Sequence, residues 1–306
     1  MKIVDRNLTK DEHKYIYDDF TKIDIGMGIP QVERKRYSYI AEKNGAIIGF
    51  VSGLAGHKWL SLTNMWVKAE HRRKGIGARL LQMFEEKIYA AGIEHIHTWM
   101  MNMQPGNEND YVWTIGGGNE HFYEKMGYSI YTIIENFFDV EGIHHVGYRK
   151  DLLPKSEAAL RDVNDEHICI MDREIAQHEL ELVYKLMKQE SQNIFPHRNQ
   201  VKYSRVIEDN GEVIGYAAGY TNYKWFMLTD MWTKSEYRRQ GLGSKLLLLL
   251  EEQIRNAGIE HVYTWTMGEN NARYYESLGY KCFTVFENSF GVEGIHHIGY
   301  RKDFCC

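Results

Sequence analysis

Residues 70–81 read EHRRKGIGARLL, and residues 236–247 read EYRRQGLGSKLL. Two arginines, a glycine, one apolar residue, a second glycine and a pair of leucines recur in the same order, 166 positions apart. Outward from this stretch the same spacing relates AAGIEHIHTW (90–99) to NAGIEHVYTW (256–265), and Trp59, Trp66 and Trp99 to Trp225, Trp232 and Trp265. Further on the spacing drops to 152, where YEKMGY (123–128) matches YESLGY (275–280) and EGIHHVGYRKD (141–151) matches EGIHHIGYRKD (293–303). The first copy therefore holds 14 extra residues, within about 100–118. The period is too long for a solenoid, whose repeats lean on their neighbours, so each copy must bury its own core. The expected domains are 1–152 and 165–306, the products of a duplication, divided near Leu153–Asp165.

Each copy reads as mixed α/β. Asn44-Gly45 and Asn210-Gly211 are hairpin signals, since both central residues of a type I′ turn need positive φ. They predict strands over 36–43 and 46–54, and over 203–208 and 212–219. WLSLTNMWV (59–67) and WFMLTDMWT (225–233) are strands running into the basic loop. Leu80, Leu81, Phe84 and Ile88 then recur at helical spacing, as do Leu246, Leu247, Leu250 and Ile254, with Gly92 and Gly258 as stop signals. Strands at 95–101 and 261–267 follow, then a short helix holding Phe122-Tyr123 or Tyr274-Tyr275, then two last strands. A helical start, a hairpin and a strand–helix–strand passage make a mixed, mostly antiparallel sheet flanked by helices.

Composition excludes several classes. Hydrophobic residues make up 43% and charged residues 26%, with only 4 prolines, which is globular and not disordered. The longest aliphatic run, Leu246–Leu250, is far short of the roughly 20 residues of a membrane span. The N-terminus, with Lys2, Asp5 and Arg6, has no apolar core of a signal peptide. A soluble cytoplasmic protein without a membrane partner is expected. Residues 1–152 carry 19 lysines and arginines against 20 acids, and the remainder 18 against 22, so no nucleic-acid footprint is expected. Cys169, Cys282, Cys305 and Cys306 have no CxxC spacing and read as two core thiols and an inert tail in a reducing compartment.

The basic loop is where chemistry is expected. A glycine turn opening a helix exposes main-chain N–H groups and points the positive end of the helix dipole at its ligand. Two familiar phosphate loops are excluded. A P-loop needs Gly-Lys-Ser/Thr, whereas these loops continue Ala78-Arg79 and Ser244-Lys245. A dinucleotide fingerprint needs a third Gly or Ala where Leu80 and Leu246 stand. What remains is Arg-x-x-Gly-x-Gly after a strand, with Tyr-x-x-x-Gly-Tyr downstream at 123–128 and 275–280.

With those residues in order twice over, nearly the whole chain resembles the GNAT superfamily of acyl-CoA-dependent N-acyltransferases. The resemblance implies two tandem GNAT domains and acetyl-CoA or coenzyme A as cofactor. It implies that Arg72, Arg73, Lys74, Gly75, Ile76, Gly77 and Ala78 bind the pyrophosphate, as do Arg238, Arg239, Gln240, Gly241, Leu242, Gly243 and Ser244. The main chain of Met65, Trp66 and Val67, and of Met231, Trp232 and Thr233, would align the pantetheine arm and thioester carbonyl. Asn119 and Asn271 join the cofactor set, and Tyr123 and Tyr275 would protonate the leaving thiolate. The acceptor pocket is implied at about 20–36, 100–118 and 186–202. Family dimers imply a pseudo-dimer within one chain, as a monomer or a homodimer.

The reaction itself constrains the remaining roles. An amine of pKa about 10.4 is mostly protonated at pH 7, and freeing it costs roughly 4–5 kcal/mol, so a base or water chain is needed. A thiol of pKa about 8.5 leaves fairly well, making a tyrosine acid a helper; the competing reading of Tyr123 and Tyr275 is a packed aromatic. Asp230 is the candidate base of copy two, and Asn64 takes its place in copy one. Glu135 and Glu287 are shared carboxylates, with a strand-end hydrogen bond as the competing reading. No metal is expected. His144-His145 and His296-His297 are adjacent on strands and point to opposite faces, while His97 is replaced by Tyr263. Gly116-Gly117-Gly118, with Tyr111 and Trp113, suggests a lid. The expected reaction is acetyl transfer to a primary amine of a small molecule. A protein or peptide amine, or a non-catalytic second copy, is the alternative.

Overall fold

The computed structural model describes residues 1–98, 120–134, 137, 144–153, 167–191 and 200–304. The elements of the first repeat are β1 (Lys2–Val4), α1 (Lys10–Gly26), β2 (Lys35–Lys43), β3 (Ala46–Gly56), β4 (Trp59–Val67), α2 (Ile76–Ala90), β5 (His95–Thr98), α3 (Glu120–Lys125), β6 (Ser129–Ile134) and β7 (His145–Asp151). Those of the second are β8 (Ile168–Met171), α4 (Gln177–Ser191), β9 (Lys202–Asp209), β10 (Glu212–Asn222), β11 (Trp225–Thr233), α5 (Leu242–Asn256), β12 (His261–Met267), α6 (Glu269–Ser277), β13 (Lys281–Phe286) and β14 (His297–Asp303). Asn44-Gly45 and Asn210-Gly211 all have positive φ, as their hairpins require.

Two sheets of seven strands have the same order: β8-β2-β3-β4-β5-β7-β6 and β1-β9-β10-β11-β12-β14-β13. Among the described residues, only β4–β5 and β11–β12 pair in parallel. The edge strand next to β2 is β8, from the second repeat, and the one next to β9 is β1, from the first. The expected division into 1–152 and 165–306 is corrected accordingly. Residues 1–31 and 137 pack with residues 200–304 as a C unit, and residues 32–134 with 144–191 as an N unit.

Equivalent residues hold the two exchanged segments. Arg6 grips Glu12 at 2.7 and 2.8 Å and Glu208 at 2.8 Å. Arg173 grips Glu179 and Glu42 at 2.7 Å. Both strand–helix segments carry the same couplers, so either one matches either sheet. Ile16 of α1 is fully buried against Val206, Val213, Tyr216 and Trp232, while Val183 of α4 packs on Ile40, Phe50 and Trp66. On the other sheet faces, Leu80, Leu81, Phe84 and Ile88, and Leu246, Leu247, Leu250 and Ile254, are essentially inaccessible. Burial of such side chains contributes about 1.5–3 kcal/mol each.

Cys169 and Cys282 are exposed and not core thiols. They lie on the edge strands β8 and β13, where their neighbours Ile168 and Ile170, and Phe283, turn inward instead. Cys305 and Cys306 lie outside the described residues. No described helix is long and apolar enough to cross a membrane.

A bulge then shapes each sheet for its site. Ser52 pairs with Asn64 and Gly53 with Leu62, which leaves Thr63 over; Ala218 pairs with Asp230 and Gly219 with Leu228, which leaves Thr229 over. Gly219 is required there, because a Cβ would run into the Met227 carbonyl; at Gly53 it would stand 2.8 Å from the Ser61 carbonyl. The extra residue bends β4 and β11 and increases their twist.

Candidate active site

Past the bulge, β11 leaves its parallel neighbour. Pairing with β12 runs from Trp225↔His261 to Leu228↔Thr264 and stops, although β11 continues to Thr233 and β12 to Met267. The β12-facing edge of residues 230–233 thus has no strand partner among the described residues, and its main-chain donors and acceptors face a fork. In the N unit, β4 and β5 pair from Trp59↔His95 to Ser61↔His97.

The helix that follows each bent strand begins open. α1 closes its N-terminus with a capping box, Thr9 and Glu12, and carries Asp11 and Glu12 in its first turn. α2 and α5 have no side-chain cap and no acid in the first turn; their N-caps are Gly75 (φ 83°) and Gly241 (φ 77°). Arg73 and Arg239 also have positive φ, 61° and 59°, a conformation costing about 1–3 kcal/mol and repeated in both loops. The first amides bonded into the helices are those of Arg79, to Gly75, and Lys245, to Gly241. Those of residues 73–78 and 239–244 have no acceptor among the described residues. Six such donors at the positive end of a helix dipole suit a diphosphate.

The loop arginines divide their work. Arg72 Nε donates to the Val67 carbonyl at 2.7 Å, and Arg238 Nε to that of Thr233 at 2.8 Å, pinning each loop to the strand before it. Arg73, Lys74, Arg239 and Gln240 are exposed. Gly77 and Gly243 differ from the N-cap glycines in their reason: a Cβ there would meet Met65 Cε at 3.3 Å or Met231 Cε at 3.4 Å, where helix and strand approach.

At the fork sits a phenol. Tyr275 is 5% exposed, its ring 5.3 Å from those of Tyr274 and Tyr280 and stacked at 5.9 Å on Tyr300. Its hydroxyl is hydrogen-bonded with Thr264, whose Oγ1 donates to the Leu228 carbonyl at 3.0 Å, at the last parallel pair. Burial pushes the phenol far up, so it is protonated at neutral pH. Tyr123 is 4% exposed and stacked at 5.2 Å on Tyr148. Both are therefore packed aromatics.

On the opposite face of β11, Asp230 accepts from Tyr17 of α1 at 3.0 Å and from Thr229 at 2.6 Å. Its counterpart Asn64 is 2% exposed, donates to Ser52 at 3.1 Å and Thr63 at 3.2 Å, and accepts from Tyr184 of α4 at 3.4 Å. Tyr17 and Tyr184 hold equivalent places on the exchanged helices.

A model of the GNAT acetyltransferase family matches residues 169–280, and one of a GNAT acetyltransferase domain matches residues 34–130. Together they cover about two thirds of the chain. The chain belongs to the GNAT acetyltransferase family. Among curated proteins, the acetyltransferase Atu2258 of Agrobacterium fabrum is 32% identical over 75 residues, which are 24% of this chain and 55% of that protein. The chain thus spans about half the length of that relative. An acetyltransferase crystal structure from Bacillus cereus is 18% identical with a TM-score of 0.40, covering 44% of this chain and 97% of that one. A GNAT acetyltransferase of Elizabethkingia anophelis with acetyl-CoA bound is 16% identical with a TM-score of 0.31, covering 39% and 82%. GNAT acetyltransferases use acetyl-CoA.

Against a GNAT site the remaining candidates fall as follows. The side chains of Trp66 and Trp232 are buried against α4 and α1, and Trp232 Nε1 donates to Asp19 at 2.8 Å, so only their main chains face the fork. Ile76 lies in the core of the N unit and Leu242 packs against the core of the C unit, leaving their amides. Asn271 Nδ2 donates to the Met267 carbonyl at 3.1 Å, tying α6 to the end of β12. Glu287 is exposed beyond β13. Asn119, Glu135 and the glycine-rich stretch at 100–118 lie outside the described residues. The implied acceptor walls are exchanged: 20–31 belong to the C unit and 186–191 to the N unit. Two residues beside the candidate site escaped sequence reasoning. Tyr17 had no visible partner before the exchange was known. Tyr274, where the first copy has Phe122, places its hydroxyl beside Gly243 and Ser244, with burial pushing it up to about 12; the Phe/Tyr difference was its only signal.

Proposed function

We propose that the chain is an acetyl-CoA-dependent N-acetyltransferase acting on the primary amine of a small molecule, with the C unit as its working site. The observation that carries this is the fork between β11 and β12. It has an uncapped helix N-terminus on one side, a protonated phenol at its base and a carboxylate on the acceptor side. Bound acetyl-CoA supplies an acetyl group on a thiol leaving group.

The chain's own residues supply the rest. The amides of 239–244 and the exposed Arg239 hold the diphosphate, and charge-assisted bonds of this kind contribute about 1.5–3 kcal/mol each. The free edge of 231–233 aligns the thioester carbonyl through main-chain groups. Asp230 takes a proton from the incoming ammonium, directly or through water. The nitrogen lone pair then bonds to the carbonyl carbon, the carbon–sulfur bond breaks and Tyr275 gives its proton to the sulfur; the second proton that the nitrogen sheds on becoming an amide leaves through water, which restores the Tyr275 proton. A second reading, that the N unit binds coenzyme A without turnover, is favoured by Asn64. An amide cannot accept that proton, and this one is held by Ser52 and Thr63.

The test is thiol release from acetyl-CoA with a panel of small primary amines, beside calorimetric titration of acetyl-CoA. Saturable binding with amine-dependent thiol release is expected. Absence of binding, or binding without release for any amine, overturns the reading.

A further inference from the structure

We infer that Asp19 is a positioning residue of the C unit. One of its oxygens ties the end of β11 and the first arginine of the glycine loop to α1, which aligns the strand end and lowers the affinity of the loop for coenzyme A. This deepens the site above and rests on that reading for what the strand end and the loop bind.

The tie follows from helical spacing. Asp19 is three residues after Ile16, which is fully buried against β9–β11, so both lie on the same face of α1. Asp19 Oδ2 accepts from Trp232 Nε1 at 2.8 Å and from Arg238 Nη2 at 3.4 Å. The two donors belong to the two halves of the site. Trp232 stands between Met231 and Thr233, on the stretch of β11 that runs past its last pair with β12. Arg238 opens the loop, and its Nε already donates to the Thr233 carbonyl. Strand end, loop and helix therefore meet at one carboxylate oxygen.

Stability accounts for only part of this arrangement. Trp232 is 2% exposed, and a buried indole N–H needs an acceptor, but a neutral one serves as well. The pair with Arg238 is long and half-exposed, and such pairs add little to the fold. What the charge does is claim part of the Arg238 guanidinium and place a negative group beside the amides of 239–244. An incoming diphosphate is repelled by that group, and the repulsion is screened by salt.

The N unit has the loop and the strand without the tie. A spacing of 167 relates Arg6 to Arg173, Glu12 to Glu179 and Tyr17 to Tyr184, and it puts Leu186 in the place of Asp19. Leu186 packs on the cluster of Trp66, where it can neither accept from an indole nor pair with a guanidinium. Trp66 Nε1 is buried and has no acceptor among the described residues, while Arg72 keeps its bond to the Val67 carbonyl.

The experiment is amide exchange of the full chain at graded coenzyme A concentrations, beside steady-state thiol release from acetyl-CoA. Protection of residues 239–244 reads the C-unit affinity, and protection of 73–78 is the internal control for folding. Asp19→Asn keeps an acceptor for the indole and drops the charge. It should tighten coenzyme A at 239–244 about threefold at low salt, with the gain fading at about 0.5 M salt and 73–78 unmoved. Asp19→Leu, the N-unit residue, should show the same gain but lower kcat about tenfold without raising KM for acetyl-CoA; Asp19→Asn should restore most of that kcat. An asparagine variant that binds no more tightly, a gain that ignores salt, a leucine variant with wild-type kcat, or affinity and kcat falling together each overturn the proposal. Protection of 239–244 in the wild type without thiol release for any amine overturns the acyltransfer reading instead, and the affinity change in Asp19→Asn then decides the role of Asp19. No protection of 239–244 in the wild type overturns both.

Discussion

Tyr275 and Tyr123 come from the same motif and pack in the same way, and what separates them is the residue on the neighbouring strand, Asp230 or Asn64. The Tyr275 hydroxyl meets Thr264 at the last parallel pair of its fork, and the base candidate on the far side of that strand is a carboxylate. The same strand position beside Tyr123 is an amide held by two hydroxyls. Tyr275→Phe should therefore lower kcat about 100-fold, as loss of a general acid does. Tyr123→Phe should leave turnover within about twofold and act on stability alone. Steady-state thiol release by the two variants checks this, and equal losses would mean that both units turn over. The motif spacing made both tyrosines legible, but not the partner of either hydroxyl, because Thr264 is brought to Tyr275 only by the packing of α6 on the sheet.

The elements carry the exchange, and it is measurable. Ile16 belongs to the first repeat in sequence yet is fully buried on β9–β11 of the second. Ile16→Ala should destabilise the C unit by about 2–4 kcal/mol. Amide exchange should quicken over residues 202–233 and not over 35–67; the opposite pattern would place α1 with its own repeat. The caps add a pH dependence. The Arg6 guanidinium holds Glu12 down to about 2, and Arg173 does the same for Glu179, against an ordinary value of 4.5. A carboxyl depressed by folding stabilises the fold above its unfolded value and loses that contribution as the proton binds. Stability should thus fall between about pH 4.5 and pH 2, and a Glu12→Gln, Glu179→Gln double variant should show a flatter slope there in thermal melts. Hairpins and helices were readable, since each depends on a local signal, Asn-Gly or 3.6-residue periodicity; the bulges that bend β4 and β11 were not, because they show only in the pairing across strands. Which sheet received β1 and α1 was not, because β8 and α4 carry the same couplers.

At the scale of the whole molecule, two glycine loops of the same geometry are paired with strand faces that differ, Asp230 in one and Asn64 in the other. Both loops keep an N-cap glycine in the left-handed region, a strained second arginine and free amides, so titration should give two acetyl-CoA per chain. The N unit, with Arg72, Arg73 and Lys74 all exposed, should bind more tightly than the C unit, where Asp19 lies 3.4 Å from Arg238. Gly75→Ala and Gly241→Ala variants, each forced to hold a Cβ at positive φ, assign the two isotherms. A single site would mean that one loop is retired.

The sequence by itself determined the internal repeat, the element order, the glycine loop and the paired tyrosines, since these rest on repeats and spacings that a linear pattern carries in full. Only the tertiary structure decided which half completes which sheet, that the first arginine of each loop pins a strand end, and that Tyr17 meets Asp230. Those contacts join residues far apart in the chain whose types, an arginine, a tyrosine and a carboxylate, suit many partners, so packing alone selects among them.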